Sequence, residues 1–235
     1  MAESVKLTKV LTIGGQPVIN IVSDHVQLDL FSTGRAIFVV CCESEPSGLV
    51  ELHLGYQVST LIPYFLGVIE KKHFSQGMWF LTCRELIGAL SFPAPLAIRF
   101  ATLKHVLSGL SLLGVEFVYP EAEYINNPVP CFHHSGDGVS ALRSLGRIYQ
   151  ITDYIFQQRS DGKIYVGSWH DSGWANNPIT DFSEHPIVTK TATTGRLLVI
   201  PKMRPGIKLN GRYITQVVLS KNTQEITWSK TLLSA

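Results

Sequence analysis

The chain has 235 residues, of which 45% are apolar and 16% charged, with a formal net charge of +2 at pH 7. This length is enough for a sizeable core in one large domain or in two to three small ones. The weak charge and the lack of a Lys/Arg-rich run argue against polyanion binding, and no apolar run reaches the roughly 18 residues of a membrane-spanning helix. Globular proteins are usually about 25% charged, so a surface this poor in charge predicts oligomerisation.

The first third of the chain predicts a small β-barrel or sandwich, because short β-rich runs alternate with Gly, Pro and Ser. We predict strands at residues 5–13, 17–23, 26–30, 36–42, 50–54, 64–72 and 78–83. Gly14-Gly15 and residues 45–48 predict tight hairpin turns. Residues 1–10 contain no basic end followed by an apolar block. No secretory signal is therefore predicted, and we expect the protein to stay in the cytoplasm until assembly or release.

The middle of the chain changes to a helical period. Thr102 as N-cap and Gly114 as stop signal predict a helix between them. A second helix is predicted to begin near Asp137, whose carboxylate suits the positive end of the helix dipole. Residues 83–90 predict a shorter helical turn. Further strands are predicted at 115–119, 153–158 and 163–169, the last two joined by a hairpin turn at residues 159–162.

A second β-rich region closes the chain after a polar loop at residues 171–178. Its predicted strands are 187–191, 196–200, 206–209, 213–219 and 225–229, with a hairpin turn at 221–224. The predicted fold class is therefore α+β, mainly β, with two small β-barrel-like units separated by an α/β insert. The predicted domains are 1–83 (N-terminal barrel-like domain), 84–185 (insert) and 186–235 (C-terminal barrel-like unit).

Five short segments, taken together, resemble one family. They are residues 83–90 (CRELIGAL), 99–107 (RFATLKHVL), 136–142 (GDGVSAL), 161–169 (DGKIYVGSW) and 203–212 (MRPGIKLNGR). Their order and spacing are similar to those of the central baseplate hub proteins of phages with long or contractile tails. That family shares its plan with the base of type VI secretion spikes.

The resemblance implies a homotrimer in which each subunit contributes two similar barrels, so that three chains present six quasi-equivalent surfaces to a six-fold tail tube. It implies a structural virion protein, made in the host cytoplasm, with no catalytic residues and no cofactor. The implied partners are tail tube or distal tail ring proteins above the hub, and spike, tip or tape-measure proteins nearby. No sequence-specific nucleic-acid binding and no membrane span are expected.

The segment from Cys131 to His134 contains the residue types that bind transition metals. On a strand, Cys131 and His133 would share a face while His134 points away. Because no second cluster completes a four-ligand site, we predict a hydrogen-bonded histidine pair and no metal. All four cysteines of the chain, Cys41, Cys42, Cys83 and Cys131, are interpreted as buried thiols.

The segment from Trp169 to Trp174 combines aromatic rings with His170 and Asp171, which suits sugar binding or acid/base chemistry. Glycoside hydrolysis requires two facing carboxyl groups. The candidate carboxylates, all at predicted turns or strand ends, are Asp153, Asp161, Asp171 and Asp181. Two alternatives to the hub stay open: a carbohydrate-binding or weakly hydrolytic host-surface module, and a distal tail ring protein. The number of subunits distinguishes a distal tail ring protein, which would form a ring of six, from the hub, which would form a trimer.

Overall fold

The computed structural model describes residues 6–179 and 187–232, and within these ranges the fold is mainly β with two α-helices, as the sequence predicts. The helices are α1 (Leu103–Ser111) and α2 (Gly138–Ile148). The strands are β1 (Thr8–Ile13), β2 (Gln16–Pro17), β3 (Asn20–Asp29), β4 (Arg35–Cys41), β5 (Leu49–Gly55), β6 (Ile62–Ser75), β7 (Met78–Glu85), β8 (Leu96–Ala101), β9 (Phe117–Val118), β10 (Val129–His134), β11 (Tyr154–Gln158), β12 (Ile164–Ser168), β13 (Val188–Thr189), β14 (Thr194–Leu198), β15 (Lys208–Leu209), β16 (Arg212–Ser220) and β17 (Thr223–Ser229).

Strands from both ends of the chain share one twelve-stranded sheet. Its order is β13-β14-β17-β16-β3-β4-β7-β6-β5-β1-β2, and β15 pairs with β16. The link between the two β regions is the antiparallel pair β3–β16, in which Val217 lies opposite Leu28 and Leu219 lies opposite Val26. The two β regions are therefore joined strand to strand. A division into two barrels, with the boundaries 1–83, 84–185 and 186–235, stays a prediction.

The N-terminal β region curls around its own core. Alternate side chains of β1 and β3–β7 point to one side, as the pleat of a strand requires. The buried members are Leu11, Ile13, Val26, Leu28, Ala36, Phe38, Val40, Val50, Leu52, Leu54, Tyr64, Phe65, Leu81 and Cys83, joined by Val199 and Leu219 from the C-terminal region. Where the curled sheet brings β1 near β3, Lys9 Nζ lies 2.6 Å from Asp24 Oδ2. One core therefore depends on residues from both ends of the chain.

Two local predictions in this region need correction. Residues 17–23 and 26–30 do not form two separate strands, because β3 runs continuously through Asn20–Asp29 with an irregular register between Ile21 and Ser23. Residues 45–48 do not close a hairpin, because β4 pairs with β3 and β7 while β5 pairs with β1 and β6. The hairpin at Gly14-Gly15 is confirmed: both residues have positive φ, 57° and 77°, and Ile13 pairs with Gln16.

The insert packs its helices around an apolar core of its own. Thr102 caps α1, because its hydroxyl accepts a hydrogen bond from His105 N while His105 Nδ1 accepts one from Thr102 N. Asp137 caps α2 by accepting from Ser140 N at 2.7 Å. Both helix starts are as predicted. Residues 83–90 divide between β7 and a 3₁₀ turn at Leu86–Ser91, and the antiparallel ribbon of β8 and β10 was not predicted.

The hairpin β11–β12 lies at the centre of the molecule and is buried along both strands. Phe156, Ile164 and Val166 face the core of the insert. Ile155 and Tyr165 face the opposite way, toward Trp169.

A separate, smaller core in the C-terminal region contains Leu197, Met203, Leu209, Ile214, Val217, Ile226 and Trp228.

Candidate functional site

A buried polar cluster joins the N-terminal region, the insert and the C-terminal region. We call it the polar junction and define it by Tyr64, Glu85, Gln158 and Arg204. Glu85 ends β7, Gln158 ends β11, and Arg204 lies in the loop before β15. All four residues are buried. The three segments are thus held together where β7 and β11 end and the loop before β15 passes.

Arg204 is the centre of the polar junction. Its Nη2 donates to Glu85 Oε1 at 2.9 Å and to the Gln158 carbonyl oxygen at 3.1 Å, while its Nη1 donates to the Tyr64 carbonyl oxygen. The other carboxylate oxygen of Glu85 accepts from Gly34 N at 2.9 Å. A Cβ at position 34 would lie 2.4 Å from Glu85 Oε2, so glycine is needed for this close approach.

Gln158 completes the cluster with its side-chain amide. Its Oε1 accepts from Ile87 N at 2.9 Å, and its Nε2 donates to the Leu66 carbonyl oxygen at 2.8 Å. Burial raises the pKa of Glu85, against the opposing effects of the Arg204 charge and the Gly34 N–H. Burial also raises the pKa of Tyr64 to about 12. A buried ion pair with these partners is costly to break, because either charge alone would be left without compensation.

The alternation of β7 is a sequence signal for this cluster. In β7, Leu81 and Cys83 face the N-terminal core, so strict alternation places Glu85 on the same inward face. An inward carboxylate predicts a buried cationic partner. The partner itself, Arg204, lies 119 residues away in a loop rich in Pro and Gly, where no periodic pattern marks it as buried.

The predicted histidine pair lies on β10, close to the start of α2. His134 Nε2 lies 2.8 Å from the Asp137 carbonyl oxygen and 3.2 Å from Ser140 Oγ. Cys131 and His133 are exposed, on the face opposite to Phe132. The prediction of buried thiols is therefore wrong for Cys131, whereas Cys83 is buried and Cys41 and Cys42 are half-buried. Within residues 6–179 and 187–232, no group of three or more His, Cys, Asp or Glu side chains is arranged to hold a metal ion.

The aromatic residues considered for sugar binding are largely used inside the protein. Trp169 is 5% exposed and donates from Nε1 to the Gly206 carbonyl oxygen at 2.8 Å. Trp174 is half-buried and packs edge-on against Tyr165, with 5.5 Å between ring centroids. These contacts stabilise the packing of the C-terminal region against β11–β12.

The candidate carboxylates each have a local partner. Asp153 Oδ2 lies 2.7 Å from His170 Nε2, and Asp171 Oδ2 accepts from Tyr124 OH at 2.9 Å. Asp161 Oδ1 accepts from Lys163 N at 3.2 Å in the β11–β12 turn. Asp181 lies outside the described residues. These contacts are typical of turns and loop ends, where Asp satisfies nearby donors.

Apolar side chains also reach the surface at the turn between β6 and β7, at the other end of this strand pair from Glu85. The hairpin of β6 and β7 turns at Gln76 and Gly77, both with positive φ. Phe74 and Trp79 pair across it, with ring centroids 5.1 Å apart, and Phe74 is exposed.

In the described part of the chain, no helix is both long enough and apolar enough to cross a bilayer.

The fold is that of phage tail proteins and of related type VI secretion components, so the resemblance noted in the sequence is confirmed in the fold. The chain aligns with a tail protein from Neisseria meningitidis MC58 at a TM-score of 0.64 and 12% identity, covering 96% of this chain and 97% of that one. It aligns with the 43 kDa tail protein of prophage MuSo2 from Shewanella oneidensis at a TM-score of 0.67 and 9% identity, covering 96% and 98%.

A third solved structure with this fold is the E. coli c3393 protein, a type VI secretion component described as structurally similar to the T4 tail proteins gp27 and gp5. It matches at a TM-score of 0.62 and 13% identity, covering 96% of this chain and 79% of that one. In sequence, the chain is 30% identical over 217 residues to an uncharacterised 58.7 kDa protein from the lys 3′ region of Haemophilus phage HP1. That match covers 92% of this chain but 40% of the phage protein. No protein-family model matches the sequence.

Proposed function

We propose that this chain is a structural, non-enzymatic component of a phage tail: a trimeric central hub that adapts a six-fold tail tube to a three-fold spike or tip. The observation that carries the proposal is the alignment of nearly the whole chain with tail proteins from two bacteria. The sequence relative encoded by a phage supports the same setting. We propose the tail of the virion as the site of action, after synthesis in the host cytoplasm.

The adaptor role needs two units per chain that resemble each other, because three copies must present six surfaces. The separate N-terminal and C-terminal cores support such a division even though their strands share one sheet. The polar junction supports it too, since a symmetry adaptor must keep its two units in a constant relation. We propose the boundaries 1–83, 84–185 and 186–235 for the two units and the insert between them.

The proposed partners follow from this position in the tail. Tail tube or distal tail ring proteins contact one side of the hub, and spike, tip or tape-measure proteins lie on the other side or within it. The low charge of the chain, 16%, supports large protein contacts. The buried Trp169 and the locally paired carboxylates do not favour a carbohydrate-binding or hydrolytic module.

Cryo-electron microscopy of tails that contain this chain tests the proposal. We expect its density at the junction of tube and tip, in three copies around the tail axis. Six copies in a ring would favour the distal tail ring alternative. Density in a peripheral fibre or receptor-binding arm would contradict the hub and revive the host-surface module.

A further inference from the structure

The ribbon of β8 and β10 presents one face to solvent and the other to the core of the insert. Ala97 lies opposite His133 and Arg99 lies opposite Cys131, so these four side chains share a face, and all four are exposed. Phe132 points the other way and is 2% exposed. We call the exposed face, together with Phe92 and Phe100 at its two ends, the ribbon face.

Phe100 has an unusual backbone conformation. Strict alternation along β8 would direct its ring inward beside Ile98, but its φ is +48° and the ring is 72% exposed, while Ala101 is buried. A left-handed backbone is an outlier for a bulky side chain. Strained residues of this kind cluster at binding sites. The chain thus keeps an aromatic ring in water where glycine would relieve the strain.

A second exposed aromatic marks the other end of the ribbon. The pairing of β8 with β10 continues past Leu96 through a bridge between Pro93 and Asp137. Phe92, which immediately precedes this bridge, is 60% exposed. Phe92 and Phe100 are eight positions apart, and at about 3.3 Å per residue an extended segment of that length spans roughly 25 Å. This is the length of a typical strand plus its flanks.

The two strands of the ribbon carry no carboxylate, and the nearest one along the chain is Asp137, which lies opposite Pro93 at the Phe92 end. The sequence contains no Asp or Glu between Glu85 and Glu116, and none between Glu123 and Asp137. The basic and imidazole side chains within these two stretches are Arg99, Lys104, His105, His133 and His134. Of these residues, Arg99 and His133 lie on the ribbon face itself, where they complement an acidic partner and disfavour a basic one.

We propose that the ribbon face binds an extended acidic segment, bearing apolar side chains, of another tail protein. This inference rests on the proposed function. Phe92 and Phe100 anchor apolar side chains of the partner, as exposed aromatics do at interface hot spots. Arg99 pairs with a carboxylate of the partner between them. Within the described residues, β8 and β10 pair only with each other, which leaves one edge of each strand without a strand neighbour for main-chain pairing.

A synthetic peptide of alternating Glu and Leu tests the ribbon face, with fluorescence anisotropy as the readout. The matched peptides have Gln or Lys in place of Glu, and a single-stranded dT oligonucleotide tests nucleic acid as the alternative. We expect binding of the Glu peptide only. Phe100→Gly is expected to weaken it about tenfold without loss of folding stability, because glycine accepts the positive φ.

Two further variants separate charge from general surface effects. Arg99→Gln is expected to weaken binding and to flatten its dependence on salt. Leu112→Ala, which removes an exposed apolar side chain at the end of α1, is expected to leave binding unchanged. Equal binding of the Gln peptide, or equal binding by Phe100→Gly, would overturn the proposal. A preference for the oligonucleotide would overturn it in favour of a nucleic-acid surface.

Native mass spectrometry of the same preparations tests the trimeric hub separately from the ribbon face. A trimer that fails to bind the Glu peptide overturns the ribbon face alone. A monomer that binds the peptide overturns the trimeric hub alone.

Discussion

The two β regions reach stability by different routes. The N-terminal region surrounds a large core with six strands and needs two outside residues, Val199 and Leu219, to complete it. The C-terminal region has a smaller core, and it is attached to β3 through β16 and to the N-terminal strands through Arg204. The small C-terminal unit is therefore stabilised by being built onto the large N-terminal one. The attachment between them, not either core alone, then decides whether the chain acts as one body.

The largest effect is expected at the centre of that attachment. Arg204→Ala leaves the Glu85 carboxylate buried without its cation, which should lower the free energy of unfolding by about 3–5 kcal/mol. Urea denaturation followed by circular dichroism measures the loss. The matched control replaces both partners, Arg204→Met with Glu85→Leu, and should recover most of the stability because neither charge is then left alone. A loss below about 1 kcal/mol in the single variant, the value of an exposed ion pair, would contradict the junction's role.

The next prediction compares the stability of the two cores directly. Leu52 and Ile226 are both fully buried, the first in the N-terminal core and the second in the C-terminal core. Truncation of either to Ala should cost about 2–5 kcal/mol. Because the cores share one sheet, we expect each variant to unfold in a single transition that coincides by fluorescence and circular dichroism. Two separate transitions would show that the β regions are independent domains.

The smallest effect concerns a helix cap outside both β regions. Hydrogen bonding from Ser140 N lowers the pKa of Asp137, so its stabilisation is present above the unfolded pKa of about 3.9 and is lost as pH falls through the folded value. Asp137→Ala should cost about 1 kcal/mol at pH 7, and the difference from the native chain in thermal unfolding should be smaller at a pH below that unfolded value. Asp137→Asn keeps a capping oxygen and should cost less. An equal cost of Asp137→Ala at both pH values would exclude the charged cap.

Local features of this fold are well encoded in the sequence. Thr102 and Asp137 mark helix starts because their side chains accept from the backbone three residues on, and Gly14-Gly15 marks a turn because both residues adopt positive φ. Such contacts involve residues that are adjacent in sequence. The alternating strands of both β regions are predictable for the same reason.

Features that depend on distant segments were not predicted. The pairing of β3 with β16 joins the two ends of the chain, and nothing in either strand specifies its partner. The strand β8 was missed because its residues precede a strong helix signal at Thr102, and its partner β10 follows the helix. The polar junction was missed for the same physical reason, since Arg204 becomes buried only when three separate segments meet.

The copy number of the chain tests the hub most directly. Native mass spectrometry of the purified protein should show a species of three times the 26.0 kDa chain mass, and Arg204→Ala should reduce its amount because the two β regions no longer hold a constant relation. A persistent monomer at high protein concentration, with the fold intact, would contradict the account.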